Sequence, residues 1–494
     1  MNRHNNIIAF LILFVCVSHS TQAQYNNQIA VGNYSAVHSY HFNPSWNASS
    51  AYLWQVNVFG VWSNVNNNYL SLKLPYSAYR IPNRIPFSYQ TESGNPRFQK
   101  SWVSETLNGR NKKVSLSSDV FGTSAFVKIK TWRVGLFTHA AFNVRVNNVN
   151  EALAHAAWME FDSASGAYDL FNANTLRNIQ KFNVTGNSRA AIGINLSKEI
   201  KMDWQRTFLI GASIKKVFGF QGFHFNASQI DIQDLGNDSI YIAPSNLSLI
   251  TYGDKMGSGA GFDVGMTYVF HKKDSRRNGV YAKKHSKYFA KLGLAIMDIG
   301  SILYKNAVFR NVSVGPNGAI VDMNSNAYSA SNDYQTSIDT FMSQIGSYQS
   351  SVGNHRVGLP TRLVATADFQ VKKNFYVAAM IQQSLRSNAS HHARYQSFMM
   401  LSPRLEYRFF EFSMPVMLEY DYRSLRVGSS FRLGPLYFGT NSLLSFVNTR
   451  SIKDADVFLG IAFGNLEAFS FKKQVRKKLK TKSSKSNKSS CFSF

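Results

Sequence analysis

From Arg133 to Asn147 the chain alternates between two unlike faces without a break. Val134, Leu136, Thr138, Ala140, Phe142, Val144 and Val146 form one face, and Arg133, Gly135, Phe137, His139, Ala141, Asn143, Arg145 and Asn147 form the other. A repeat of two is that of a β-strand, whose side chains leave the backbone on opposite sides in turn. The length is the harder constraint. Globular strands usually run to about 5 or 6 residues, whereas a tilted strand that crosses a bilayer needs about 9 to 11.

The division recurs with other residues. Phe262, Val264, Met266, Tyr268 and Phe270 alternate with Gly261, Asp263, Gly265, Thr267 and Val269. Phe410 to Tyr420, Leu425 to Gly434 and Val457 to Gly464 repeat the pattern, and further strands are expected near 52–62, 189–197, 208–215, 288–297, 362–371, 375–383 and 404–409. Aromatic residues such as Tyr52, Trp54, Trp62, Trp132, Tyr268 and Tyr420 stand near strand ends, where a bilayer interface favours them. A soluble sandwich also alternates, but it needs neither this length nor these aromatics. The pattern predicts an all-β fold, a transmembrane antiparallel β-barrel of about 14 strands, with about 16 as the other even count it accommodates. Inward glycines at 261, 265, 428, 434, 460 and 464 predict an interior partly filled by neighbouring segments.

The ends read differently. Arg3 and His4 precede an apolar stretch from Ile7 to Val17, and Thr21-Gln22-Ala23 offers a cleavage site, so residues 1–23 are expected to be a secretory signal. Its removal takes Cys16 and leaves Cys491, so no intrachain disulfide is expected. Residues 24–50 are polar and hardly alternate, 51–470 are assigned to the barrel, and long loops are expected near 151–180 and 306–355. Residues 471–494 hold nine Lys and Arg and no acid, which reads as a solvated basic tail. The whole chain has 54 Lys and Arg against 27 Asp and Glu. Such an excess suggests nucleic acid in a cytosolic protein, but export argues against that partner. Outer-membrane lipid is the expected partner, with envelope proteins as further candidates through the loops or the tail.

No zincin, nucleophile-elbow or P-loop motif is present, and no catalytic residue, metal or cofactor is expected. His391-His392 is an adjacent pair whose side chains would diverge in extended chain. The candidate lumen residues are Arg133, His139, Arg145, Asp263, Arg404, Glu406, Arg408, Glu411, Arg426 and Arg432, with Lys215 and Glu419 on the same faces. Either they pair across neighbouring strands, or their basic excess attracts anions.

Phe42-Asn43-Pro44-Ser45, ahead of the first strand, resembles the Asn-Pro-Ala segment in the N-terminal hatch of the long-chain fatty-acid channels of outer membranes, departing from it at Ser45. The resemblance implies that Asn43 and Pro44 belong to a hatch inside the barrel. Asn66-Asn67-Asn68-Tyr69-Leu70, Gly261-Phe262-Asp263-Val264-Gly265, Met297-Asp298-Ile299-Gly300, Leu359-Pro360-Thr361-Arg362, Ser402-Pro403-Arg404 and the segment from Arg432 to Gly439 are similar in order and spacing to an uncharacterised outer-membrane barrel family of Bacteroidota. That family is itself similar to the fatty-acid channels and to barrel subunits of the type IX secretion system. The resemblance implies an outer-membrane location and the passage of a small molecule, an apolar one among them. The alternative is a structural or accessory subunit of a secretion or uptake complex.

Overall fold

The sheet closes on itself where Tyr52–Asn67 (β1) pairs antiparallel with Asp454–Leu466 (β14), from Tyr52 opposite Leu466 to Asn66 opposite Asp454. The computed structural model describes residues 30–76, 100–151, 153–155, 182–203, 205–228, 232–236, 239–271, 288–322, 334–387, 391–419, 421–422, 424–447 and 452–466. The expected signal, the basic tail and most of 151–180 lie outside the described residues.

Between the two closing strands run β2 (Lys112–Phe121 and Ser124–Ile129), β3 (Trp132–Val149), β4 (Phe182–Lys201), β5 (Arg206–Ser228), β6 (Asn246–Tyr252 and Gly257–His271) and β7 (Tyr288–Ser313). They are followed by β8 (Ser347–Gly358 and Arg362–Lys372), β9 (Phe375–Ser384), β10 (Phe398–Glu406), β11 (Phe410–Ser413 and Val416–Glu419), β12 (Ser424–Val427 and Ser429–Leu433) and β13 (Leu436–Thr440). Each pairs antiparallel with its sequence neighbours. Both pieces of β2, β6 and β11 pair with the two strands that flank them, whereas Ser347–Gly358 of β8 pairs only with β7 and Ser424–Val427 of β12 only with β11. The barrel therefore has fourteen strands. Full closure leaves no unpaired edge, which is the condition for a sheet in lipid. No helix among the described residues is long and apolar enough to cross a membrane.

Outward residues are apolar and exposed: Leu136, Ile192, Ile194, Leu196, Ile214, Phe262, Met266, Leu401, Leu459 and Phe463 lie on this face. Inward residues of the same strands are buried and mostly polar. One end has short turns, such as 130–131, 373–374 and 434–435, and the other carries the long connections, the arrangement in which short turns face the periplasm. On the long-loop side Ile232–Gly236, Ser239–Ile242 and Ala319–Asp322 form a separate three-stranded sheet, near a helix at Tyr334–Ile345.

Two expectations change. The stretch 306–355 is not one long loop, because β7 continues to Ser313 and β8 begins at Ser347. Its Ser and Asn side chains hide the strands from a hydropathy reading, yet the backbone ladder persists, with Arg310 opposite both Leu249 and Ser350. Gly434 is not an inward residue. It sits in the β12–β13 turn at φ +59 with open space around it. By contrast, a Cβ at Gly460 would lie 2.7 Å from Tyr437 Cε2, so the glycine makes room for an inward ring.

Candidate functional site: a plugged lumen

The polar N-terminal segment is inside the barrel. Residues 35–50 hold two short 3₁₀ turns, Ala36–His41 and Trp46–Ser49, and all of them but the half-buried Ser49 are buried. Too short to satisfy their own backbone groups, these turns depend on the wall. Arg133 donates to the carbonyls of Ala48 and Ser50, the latter at 2.9 Å, and Arg362 Nη2 donates to His41 O at 2.7 Å. Gln55 Oε1 accepts from Val37 N, and Glu406 accepts from both Asn33 N at 2.9 Å and Asn33 Nδ2 at 2.6 Å.

The Asn43-Pro44-Ser45 turn is held most closely. Asn43 Nδ2 donates to Met266 O and Thr267 Oγ1, both at 3.3 Å. Ser45 Oγ and Thr267 Oγ1 share a bond of 2.7 Å, and Asn195 Nδ2 reaches Pro44 O at 3.2 Å. Two glycines let the turn sit against the wall. A Cβ at Gly211 would lie 2.5 Å from Pro44 C and Ser45 N, and one at Gly265 would lie 2.9 Å from Pro44 Cδ. Asn43 and Pro44 are thus lumen residues.

Inward charges pair rather than line an open path. Arg404 Nη2 meets Asp368 at 3.0 Å and its Nε meets Glu406 at 2.9 Å, while Arg432 Nε meets Glu411 at 3.2 Å. Arg426 meets Glu419 at 3.0 Å. Lys215 bridges Asp263, at 2.7 Å, and Asp298, which also pairs with Arg362. The motifs around Gly261, Met297 and Leu359 therefore converge in space. Asp298 is at φ +57 and its amide donates to Asp263 Oδ1 at 2.7 Å, so a bulge in β7 turns its carboxylate toward both cations.

A second inward segment, 391–397, closes the long-loop side. Tyr395 Oη donates to Asp119 Oδ1 at 2.8 Å and accepts from Arg189 Nη2 at 2.9 Å, and His139 Nε2 meets the same Asp119 oxygen at 2.7 Å. Arg145 Nη2 donates to His392 O at 3.3 Å. His391 and His392 do not diverge. Their ring centres are 4.1 Å apart because the segment bends there. Among the described residues no group of three possible ligands is arranged to hold a metal ion.

Nine of the ten charged or histidine candidates thus face the lumen: Arg133, His139, Arg145, Asp263, Arg404, Glu406, Glu411, Arg426 and Arg432. Arg408 does not. β10 ends at Glu406 and Arg408 lies exposed in the following turn, its guanidinium 5.1 Å from the Phe409 ring, so strand register stops applying there. Asp119, Lys291 and Asp368 are lumen residues that the sequence pattern did not single out, and Asp298 and Arg362 entered only within motifs, without a lumen assignment. Asp368 and Arg362 are in phase with the inward residues of β8, a signal that period-two reading carries.

Outside the spanning strands, burial raises the Glu151 carboxyl, but hydrogen bonds from Lys112 and from the amides of Asn108 and Gly109 outweigh it and hold Glu151 below its ordinary value.

Fold and site together define a transmembrane β-barrel whose lumen is occupied by its own N-terminal segment. The chain belongs to the family of unknown function DUF5723, which matches residues 44–441. No curated protein matches it. A FadL homologue from Pseudomonas aeruginosa is similar at 11% identity over 90% of this chain and 98% of that one, with a TM-score of 0.41. The toluene transporter TodX from Pseudomonas putida is similar at 12% identity over 90% and 94%, with a TM-score of 0.37.

Proposed function

We propose that this chain is an outer-membrane channel, without enzymatic activity, that passes a small apolar molecule when the N-terminal plug moves. The observation that carries the reading is the surface the plug covers. Phe42 and Trp46 pack into a cluster with Met297, Met380, Met400 and Met417, together with Trp62, Phe121, Tyr395 and Phe398. A barrel interior meant only for water and ions has no use for such a patch. Methionine and aromatic side chains adapt to irregular apolar shapes, so plug withdrawal would expose a plastic apolar surface beside charged anchors. The Asn43-Pro44 turn, with its resemblance to a channel hatch, supports the same reading.

The experiment is uptake of a small apolar fluorophore into proteoliposomes, comparing the intact mature chain, a chain lacking residues 30–50 and the double variant Phe42→Ala, Trp46→Ala. Faster uptake in both altered chains is expected, with a polar dye of equal size lagging behind. Equal rates for the two dyes would remove the apolar assignment, and no uptake by any of the three would favour a scaffold subunit. That second reading draws on one observation, the three-stranded sheet near helix Tyr334–Ile345, which is a built surface on the long-loop side.

A further inference from the structure

We infer that a groove on the lipid-facing wall binds an anionic phospholipid of the leaflet on the short-turn side. The groove holds about 480 Å³ and crosses the outer face from β3 to β7. Its course follows from the register. Trp132, Lys198, Ile210, Met266 and Leu294 are successive cross-strand partners. Trp132 comes directly after the turn at 130–131, whereas Leu294 lies well inside a strand that begins at Tyr288. The row therefore climbs from the rim into the bilayer as it crosses the strands.

The floor is low because Ala212 stands between Leu196 and Val264 in the next outward row, with the backbones of Gly211 and Gly265 beside it. Inside the barrel those two glycines carry the hatch turn. Its lining is apolar throughout, apart from one end. There Lys198 Nζ lies 4.6 Å from the centre of the Trp132 ring. This pairing fixes an ammonium at the interface, with the aromatic body against the acyl region.

The charge of that rim names the occupant. Lys130, Lys201 and Arg206 are also exposed on the short-turn side, with Asp203 engaged by Arg206 at 2.7 Å. An acyl chain alone would use only the trough, whereas an anionic headgroup joined to a chain uses the trough and the basic end together. A zwitterionic lipid gains less from the same end.

The test uses the full mature chain in vesicles, with quenching of Trp132 by brominated phospholipids. The Trp132→Phe variant isolates that signal from the other tryptophans. Brominated phosphatidylglycerol should be preferred over brominated phosphatidylcholine about fivefold, the factor expected for one basic residue near a charged surface. Lys198→Gln should cut the preference sharply, leaving only what Lys130 and Lys201 contribute from the rim, and an unchanged preference in that variant would overturn the proposal. Ala212→Phe, an apolar change on an apolar lipid-facing surface, should lower quenching by both lipids while the heat-modifiable gel shift confirms the barrel. Equal quenching by the two headgroups in the native chain would overturn the proposal. So would displacement of the phospholipid by oleate at equal concentration, which would assign the groove to free fatty acid.

Discussion

Gly211 is the place where a single methyl group should unseat the hatch without harming the wall. It pairs with Ser197 on one side and Gly265 on the other, so β5 is held by neighbours across the ladder and has no room to retreat. The added carbon of Gly211→Ala would stand 2.5 Å from two backbone atoms, Pro44 C and Ser45 N. Ordinary carbon contacts lie at about 3.5–4.0 Å, so the turn has to withdraw by roughly 1 Å. The bonds from Asn43 and Asn195 already span 3.2–3.3 Å and do not survive that displacement. Overpacking of this kind costs about 1–3 kcal/mol, which raises the unseated fraction about 5- to 150-fold. Hydrogen–deuterium exchange over Phe42–Ser50 reads the change directly, because the amides of Trp46, Ala48 and Ser50 are bonded within the turns. Gly315→Ala, where a methyl meets nothing within 4 Å, is the control. Unaltered exchange in a correctly inserted Gly211→Ala barrel would refute the account of how the plug is seated.

Arg404→Met leaves Asp368 and Glu406 without their shared cation, and loss of one partner in such a buried set costs about 3–5 kcal/mol. Arg408→Met should change thermal unfolding by less than about 0.5 kcal/mol, since that side chain is exposed in a turn; equal melting shifts for the two variants would contradict the lumen assignment. Acid should loosen the 391–397 segment. Burial, then the nearby charges of His391 and Arg386, lower His392 to about 4 from 6.5, and burial also lowers His391. Between those values the undocked segment binds more protons than the docked one, so docking is intact above the upper value and is lost as pH falls toward the lower. Protection of the amides across Ala393–Ser397, taken relative to the intrinsic exchange rate at each pH, that stays flat from pH 7 to pH 4 would exclude this. Asp298→Asn should weaken the β7–β8 junction by removing charge from both Lys215 and Arg362, seen as easier unfolding in detergent; an unchanged melting profile would count against the bridge.

The wall was legible because the bilayer imposes one rule on every strand. Val134 and Leu136 face lipid while Arg133 and Arg145 do not, and the alternation of letters states this without knowledge of partners. The hatch was legible only as a position. Nothing in residues 30–50 shows that Arg133, Asn195, Thr267, Arg362 and Glu406 will meet it, since these contacts join segments up to 373 residues apart. Asp298, named in a motif, was given no face for a different reason. Its bulge rotates it out of phase, so no periodic reading assigns its face. Arg408 failed in the opposite way, because phase was carried past the end of a strand into a turn.

The seam between β1 and β14 joins the two extremities of the barrel, and the hatch lies just ahead of the first. Its partners are spread over β1, β3 to β8 and β10, so the hatch touches most of the circumference at once. A segment gripped on so many sides links strands such as β1, β6 and β10 that share no ladder bonds with one another, as spokes brace a rim. Distortion at one side of the wall is therefore felt at the opposite side through the hatch.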